Sequence, residues 1–272
     1  MSDIAIEKCG HVALVEIRRP PNNFFDIALI KDIAAAFEAF DDDVDIRAIV
    51  LAAQGKAFCA GANFGDGSTL DKAGQRPSEL SRQQAVQHLY LEGNRLFRTK
   101  KPIIAAVHGA AVGGGLGLAM VADFRVTCPE ARFCANFTRL GFHPGFGLTA
   151  TLPRLIGLQK ASWLMYSGRR ITGEEALELG LADYCVPQAE VRAKAMEVAT
   201  EIAQSAPLAI VATRETLRRG LADAVAAATE REYEEQNWLR NTEDFREGVK
   251  AMAERRLPDF KPRCPAALLI GA

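Results

Sequence analysis

Three consecutive glycines, Gly113-Gly114-Gly115, stand between an apolar run at 102–107 and a second one from Leu116 to Ala122. A helix or strand interior disfavours residues without a Cβ by roughly 1 kcal/mol each, so the run marks a junction. The preceding Ile103-Ile104-Ala105-Ala106-Val107 is apolar on successive positions, which predicts a buried strand. The following Leu116-Gly117-Leu118-Ala119-Met120 predicts a helix. Its N–H groups and positive dipole end are not screened by side chains, so a ligand oxygen can approach them closely. Spacing alone also allows a simpler reading, in which the glycines only bring helix and strand together.

Established phosphate fingerprints do not fit. In Gly-x-Gly-x-x-Gly the last position is Leu118 when counted from Gly113 and Met120 when counted from Gly115. No Lys-Ser/Thr pair follows the glycines, so a P-loop is excluded as well.

The same strand-to-loop pattern occurs once more. Ile46–Ala53 predicts a buried strand, and Lys56-Ala57-Phe58-Cys59-Ala60-Gly61-Ala62-Asn63 follows it. Elsewhere, residues 4–7 and 12–17 read as strands with a turn at Lys8–Gly10. Asp26 is expected to cap a helix through Phe40, and Glu79–Arg98 has helical character. Gly65–Pro77, rich in Gly, Asp and Ser, predicts a surface loop over a site. Thr172 and Glu175 form a capping box, and Gly180 stands at a helix stop. Pro207 opens another helix, and two more are expected around 223–238 and 242–256. A chain of 272 residues with this order of elements predicts an α/β core over 1–200 and a helical extension over 201–272. The large apolar faces of the last helices suggest packing on a neighbouring copy.

Composition excludes several functions. The net charge is −1, so no basic stripe serves nucleic acid. The most apolar stretch, 103–122, is interrupted by glycines and a histidine, which argues against a membrane span. Met1-Ser2-Asp3-Ile4 lacks the basic start of a secretory signal, so a cytoplasmic location is expected. The six cysteines (9, 59, 128, 134, 185, 264) lack metal-binding spacing and are read as reduced, mostly buried thiols; no metal is expected.

Taken together, these segments resemble the crotonase (enoyl-CoA hydratase/isomerase) family. Phe58-Cys59-Ala60-Gly61-Ala62-Asn63 is similar to its Phe-x-Ala-Gly-Ala-Asp segment. Ala105 to Gly115 is similar to its Ala-Ala-Val-x-Gly-x-x-x-Gly-Gly-Gly segment. Asp123, Gly141, Pro144-Gly145, Gly168–Ala176 and Gly180–Asp183 follow in the family's order, so the likeness runs from about residue 4 to 261. The resemblance implies an α/β fold of the ClpP/crotonase type, a spiral of repeated ββα units with a C-terminal helical extension. It implies an acyl-CoA substrate with coenzyme A as part of the thioester, no separate cofactor, and a homotrimer or dimer of trimers. It also implies an oxyanion hole made by the N–H groups of Ala62 and Gly114. Two such donors stabilise an enolate oxygen more than a neutral carbonyl, and each contributes about 3 kcal/mol. By the same likeness the backbone at Ala60 meets adenine. Arg255 corresponds to a cation that binds the CoA phosphate in a neighbouring subunit, unless it is simply a solvated helix end.

Two residues break the pattern. Hydratases of the family position water with two glutamates, and the corresponding residues here are Gly117 and Phe137. Isomerisation or another proton shift is therefore expected rather than standard hydration. His143 is a candidate acid or base, and Asp66 a further candidate base. Tyr90 and Glu92 are possible pocket residues, on a helix whose faces the sequence does not orient. His108 and Asp123 read as structural, and Asn63 as a support of its own loop. By the same resemblance, a glycine at 117 also admits carbon–carbon bond chemistry, with bicarbonate or a substrate carboxylate as base. An acyl-CoA-binding module without turnover, or a scaffold subunit, is compatible with the same residues.

Overall fold

The computed structural model describes residues 3–63 and 79–261. An antiparallel hairpin, β1 (Ile4–Cys9) and β2 (Val12–Ile17), opens the chain with Cys9 opposite Val12. Its first strand runs two residues further than the expected 4–7, because the reversal falls at Gly10, whose φ is 60°. Helix α1 (Ile27–Asp42) follows, and the Asp26 carboxylate accepts the Leu29 N–H at 2.9 Å as the expected cap.

Three strand pairs then repeat. β3 (Ala48–Ala53) and β4 (Ala57–Cys59) precede α2 (Glu79–Leu96). β5 (Ile103–Val107) and β6 (Ala110–Val112) precede α3 (Gly114–Ala119), and β7 (Phe124–Thr127) is followed by β8 (Arg132–Cys134). The first strand of each pair joins one sheet, of order β1-β2-β3-β5-β7, and the second joins another, of order β4-β6-β8. Both sheets are parallel through these repeats. This spiral of ββα units explains why β3 and β5 are apolar at every position: they are buried on both faces.

The chain continues through α4 (Leu148–Ile156), α5 (Leu158–Ser167) and β9 (Arg170–Thr172), which pairs antiparallel with β8. Helix α6 (Gly173–Leu179) starts on the expected box, with Thr172 and Glu175 exchanging hydrogen bonds of 3.1 and 2.7 Å, and ends at Gly180. After β10 (Tyr184–Cys185) at the edge of the first sheet, α7 (Val191–Ala203) crosses β3, β5 and β7. Helices α8 (Pro207–Leu217), α9 (Leu221–Leu239) and α10 (Glu243–Ala253) complete the described chain. They pack on their own chain: α9 lies against α2 and α4, and α10 lies against the turn at 138–140.

Asp123 fastens α8 to the sheet. Its carboxylate accepts the Ile103 N–H at 2.8 Å, Arg214 Nε at 2.9 Å and Arg218 Nη1 at 2.8 Å. This is the structural role expected of it. Replacing Asp123 by Ala strands two largely buried guanidinium groups, so Asp123→Ala is expected to lower unfolding free energy by about 3 kcal/mol, measured by urea denaturation.

Candidate active site

The two glycine-containing loops meet backbone to backbone. A Cβ on Gly115 would stand 2.0 Å from the Cys59 carbonyl oxygen, and one on Gly61 would stand 2.7 Å from the Val112 oxygen and 3.3 Å from the Gly114 nitrogen. Only glycine permits this approach. Gly109 does the same against the Lys56 carbonyl, at 2.2 Å. Gly61 and Gly113 also have left-handed φ values, 79° and 57°. Ala62 therefore adjoins the first turn of α3. Among the described residues, neither its N–H nor that of Gly114 donates to an acceptor of the fold. The neighbouring amides are engaged: Ala60 N–H binds the Asn22 carbonyl at 3.0 Å, and Gly113 N–H binds the Cys134 carbonyl at 2.8 Å.

Phenyl rings wall this junction. The Phe137 ring reaches Gly113, 3.7 Å from where a Cβ would be, and the Phe25 ring covers Gly114, 2.3 Å from the point a Cβ there would occupy. Phe146 lies over Gly117, its Cβ 2.7 Å from the corresponding point. Phe25 and Phe146 are 5.3 Å apart between centroids, and all three phenylalanines are buried. Phe137 is thus itself part of the wall, and Gly117 is covered by another ring.

Behind Phe146 runs a buried polar seam from α9. Gln236 Nε2 donates to the His143 carbonyl at 2.9 Å and to the Pro144 carbonyl at 3.3 Å, and the Tyr90 hydroxyl donates to Gln236 Oε1 at 3.0 Å. The Glu232 carboxylate accepts Gly147 N–H at 2.8 Å, Thr149 N–H at 3.0 Å and the Thr149 hydroxyl at 2.6 Å. Burial pushes the Glu232 carboxyl up to about 7, against the opposing pull of those three bonds. Burial likewise raises the Tyr90 phenol.

These contacts orient the helix whose faces the sequence leaves open. Tyr90 points inward to α9, whereas Glu92 pairs with Arg95, which also binds Glu38 on α1. His143 is half-buried, with Nδ1 2.8 Å from the Pro144 carbonyl oxygen. It lines a cleft of about 520 Å³ formed with Thr138, Pro153, Leu158, Met165 and Tyr166, which includes neither Ala62 nor Gly114. The structure brings Ala62 and Gly114 together and leaves His143 on this other cleft, because the 141–147 turn directs Phe146 rather than His143 toward α3. Arg255 follows α10 on an exposed corner with φ 56°. Asp66 and the 65–77 loop lie outside the described residues. His108 is structural: its ring nitrogen is 3.0 Å from the Gly55 carbonyl oxygen, and its own carbonyl accepts from Gln188.

Among the described residues no group of side chains is suited to a metal, and the described cysteines are free. Burial raises the thiols of Cys59, Cys128 and Cys134 to about 12, 11 and 11, which makes them inert packing groups. Cys9 is exposed instead. No described helix is long and apolar enough to cross a membrane.

The sequence matches the Enoyl-CoA hydratase/isomerase family over residues 7–263. The chain belongs to that family. A probable enoyl-CoA hydratase of Bacillus subtilis (strain 168) is 32% identical over 262 residues, covering 96% of this chain and 99% of that protein. The 2,3-dehydroadipyl-CoA hydratase of Escherichia coli (strain K12) is 32% identical over 268 residues, covering 97% and 100%. A solved enoyl-CoA hydratase/isomerase from Pseudoalteromonas atlantica T6c superposes with a TM-score of 0.82 at 26% identity, covering 96% of this chain and all of that one. The ββα spiral described above is accordingly the crotonase fold, and the chain is an enzyme of the hydratase/isomerase family.

Residue-by-residue reading of the sequence missed Phe25, Phe146, Glu232 and Gln236. A signal for the last two exists: Leu221, Val225, Thr229, Glu232 and Gln236 fall on one helical stripe, so polar residues continue a buried face. For Glu232 the folded carboxyl titrates above its unfolded value. The folded state then holds the proton from about pH 4.5 to 7, and stability declines as pH rises through that window. Thermal melts are expected to show a shallower decline over that range in Glu232→Gln, together with an overall loss of about 1–3 kcal/mol from the misplaced amide donor.

Proposed function

We propose that this family member binds an acyl-CoA thioester, holds its oxygen between the Ala62 and Gly114 N–H groups, and catalyses a proton shift on the resulting enolate rather than standard hydration. The observation that carries the reading is the meeting of two backbone donors, without an acceptor among the described residues, at a junction walled by phenyl rings. Donors held in an apolar surround stabilise developing negative charge strongly, because little water competes for it. The relatives bear hydratase names, but the water-activating pair they imply has no counterpart at Gly117 and Phe137. A proton shift needs only one group that takes a proton from one carbon and returns it to another, a part we assign to Asp66, the candidate base outside the described residues, so losing the pair removes hydration first.

The coenzyme A moiety is assigned to the backbone at Ala60 and, from a neighbouring copy, to Arg255. Leu155, Leu158, Trp163 and Tyr166 expose an apolar stripe on α4 and α5. This surface is the proposed contact between copies in a homotrimer or dimer of trimers. A second reading, an acyl-CoA-binding protein without turnover, is favoured by rings standing where carboxylates would act.

A panel of 2-enoyl-CoA and 3-enoyl-CoA substrates separates these readings. Double-bond migration faster than water addition is the expected result. Hydration outpacing isomerisation would refute the proton-shift assignment, and tight binding without turnover of any substrate would establish the binding protein. Arg255→Ala is expected to weaken CoA-ester binding about tenfold by calorimetry, the worth of one charge-assisted contact, with the sedimentation coefficient unchanged.

A further inference from the structure

Among the described residues, three non-glycine residues adopt left-handed backbone, and Phe146, at φ 61°, is the buried one with a bulky side chain. Asn23 tolerates that region, and Arg255 lies at an exposed helix end, so neither resembles Phe146. A strained buried residue persists only where its surroundings over-determine it. Here both flanks are clamped. On one side, Gly145 is pressed against Tyr90, whose hydroxyl oxygen would stand 2.1 Å from an added Cβ. On the other, Gly147 N–H is held by Glu232 at 2.8 Å. The Phe146 N–H itself is directed at the Tyr90 oxygen.

The clamp fixes where the ring goes. It occupies a slot between two residues without Cβ atoms, Gly117 on α3 and Gly93 on α2, the latter 3.3 Å from ring to built Cβ. Gly117 is one helical turn beyond Gly114, whose N–H faces the proposed thioester oxygen. Carbons of an acyl group extending from that oxygen along α3 would meet this ring next.

We infer that Phe146 is a specificity-determining residue that closes the acyl pocket and restricts the protein to short acyl groups. The inference rests on the acyl-CoA reading above. Removing the ring opens a slot bounded by Gly93, Gly117 and Phe25, into which further methylene groups can be buried.

The test is calorimetric titration of free CoA, butanoyl-CoA and octanoyl-CoA into the wild type, Phe146→Ala and Phe146→Gly. Glycine adopts the left-handed backbone without strain, so Phe146→Gly keeps the turn while removing the ring. Circular dichroism melts confirm that each variant is folded. The wild type is expected to prefer butanoyl-CoA. In both variants the octanoyl-to-butanoyl affinity ratio should rise at least about tenfold, while free CoA affinity stays within about twofold. A wild type that prefers octanoyl-CoA, or a ratio unchanged in folded Phe146→Gly, overturns the assignment of Phe146 and leaves the acyl-CoA reading intact. Failure of the wild type to bind free CoA and both esters overturns the acyl-CoA reading, and this inference with it.

Discussion

Everything at the site depends on one contact between main chains. The loop after β4 and the first turn of α3 touch so closely that the Cys59 carbonyl occupies the space a side chain on Gly115 would need. Any side chain there would push α3 away from the sheet edge and carry the Gly114 amide with it. The parallel register of β4 on β6, with Cys59 opposite Ala111, sets the approach from the sheet side. The glycines make it sterically possible. A pair of backbone donors built this way has no rotamers to freeze, so its preorganisation comes with folding itself.

The second feature is what surrounds those donors. Phe25, Phe137 and Phe146 come from three separated stretches of chain, yet their rings cover consecutive parts of the Gly113–Gly117 turn. An apolar wall strengthens the electrostatics of the amides. The ring over Gly117 needs strained backbone, about 1–3 kcal/mol for such a residue. The α9 seam holds it in place. Glu232 accepts the Gly147 and Thr149 N–H groups, Gln236 donates to the His143 and Pro144 carbonyls, and Tyr90 faces the Phe146 N–H. The C-terminal helices therefore act within the chain, as the backing of the 143–149 turn, in addition to any contact between copies.

Much of the architecture was legible in the residues because local rules govern it. Asp26, Thr172 with Glu175, Gly180 and Pro207 mark helix ends, and the structure has helix ends at each of them. The continuous apolar runs at 48–53 and 103–107 announce strands buried on both faces. Small differences, such as the extra residues of β1, arise where a turn needs left-handed backbone and one glycine supplies it. The absence of glutamate at 117 and 137 was equally plain, since it requires only reading the residue types.

What packs against Gly114 and Gly117 was not legible. His143 and Phe146 lie three residues apart in one turn, and sequence alone favours the imidazole as the reactive group. Their directions are set by bonds to α9, almost ninety residues later in the chain, and local patterns carry no information about such partners. The sequence by itself determined the elements, their caps and the side-chain-free junction, because each depends on neighbours within a few positions. Only the tertiary structure decided that, among the described residues, the rings of Phe25, Phe137 and Phe146 surround the donors. That outcome depends on packing between distant segments competing for one small volume.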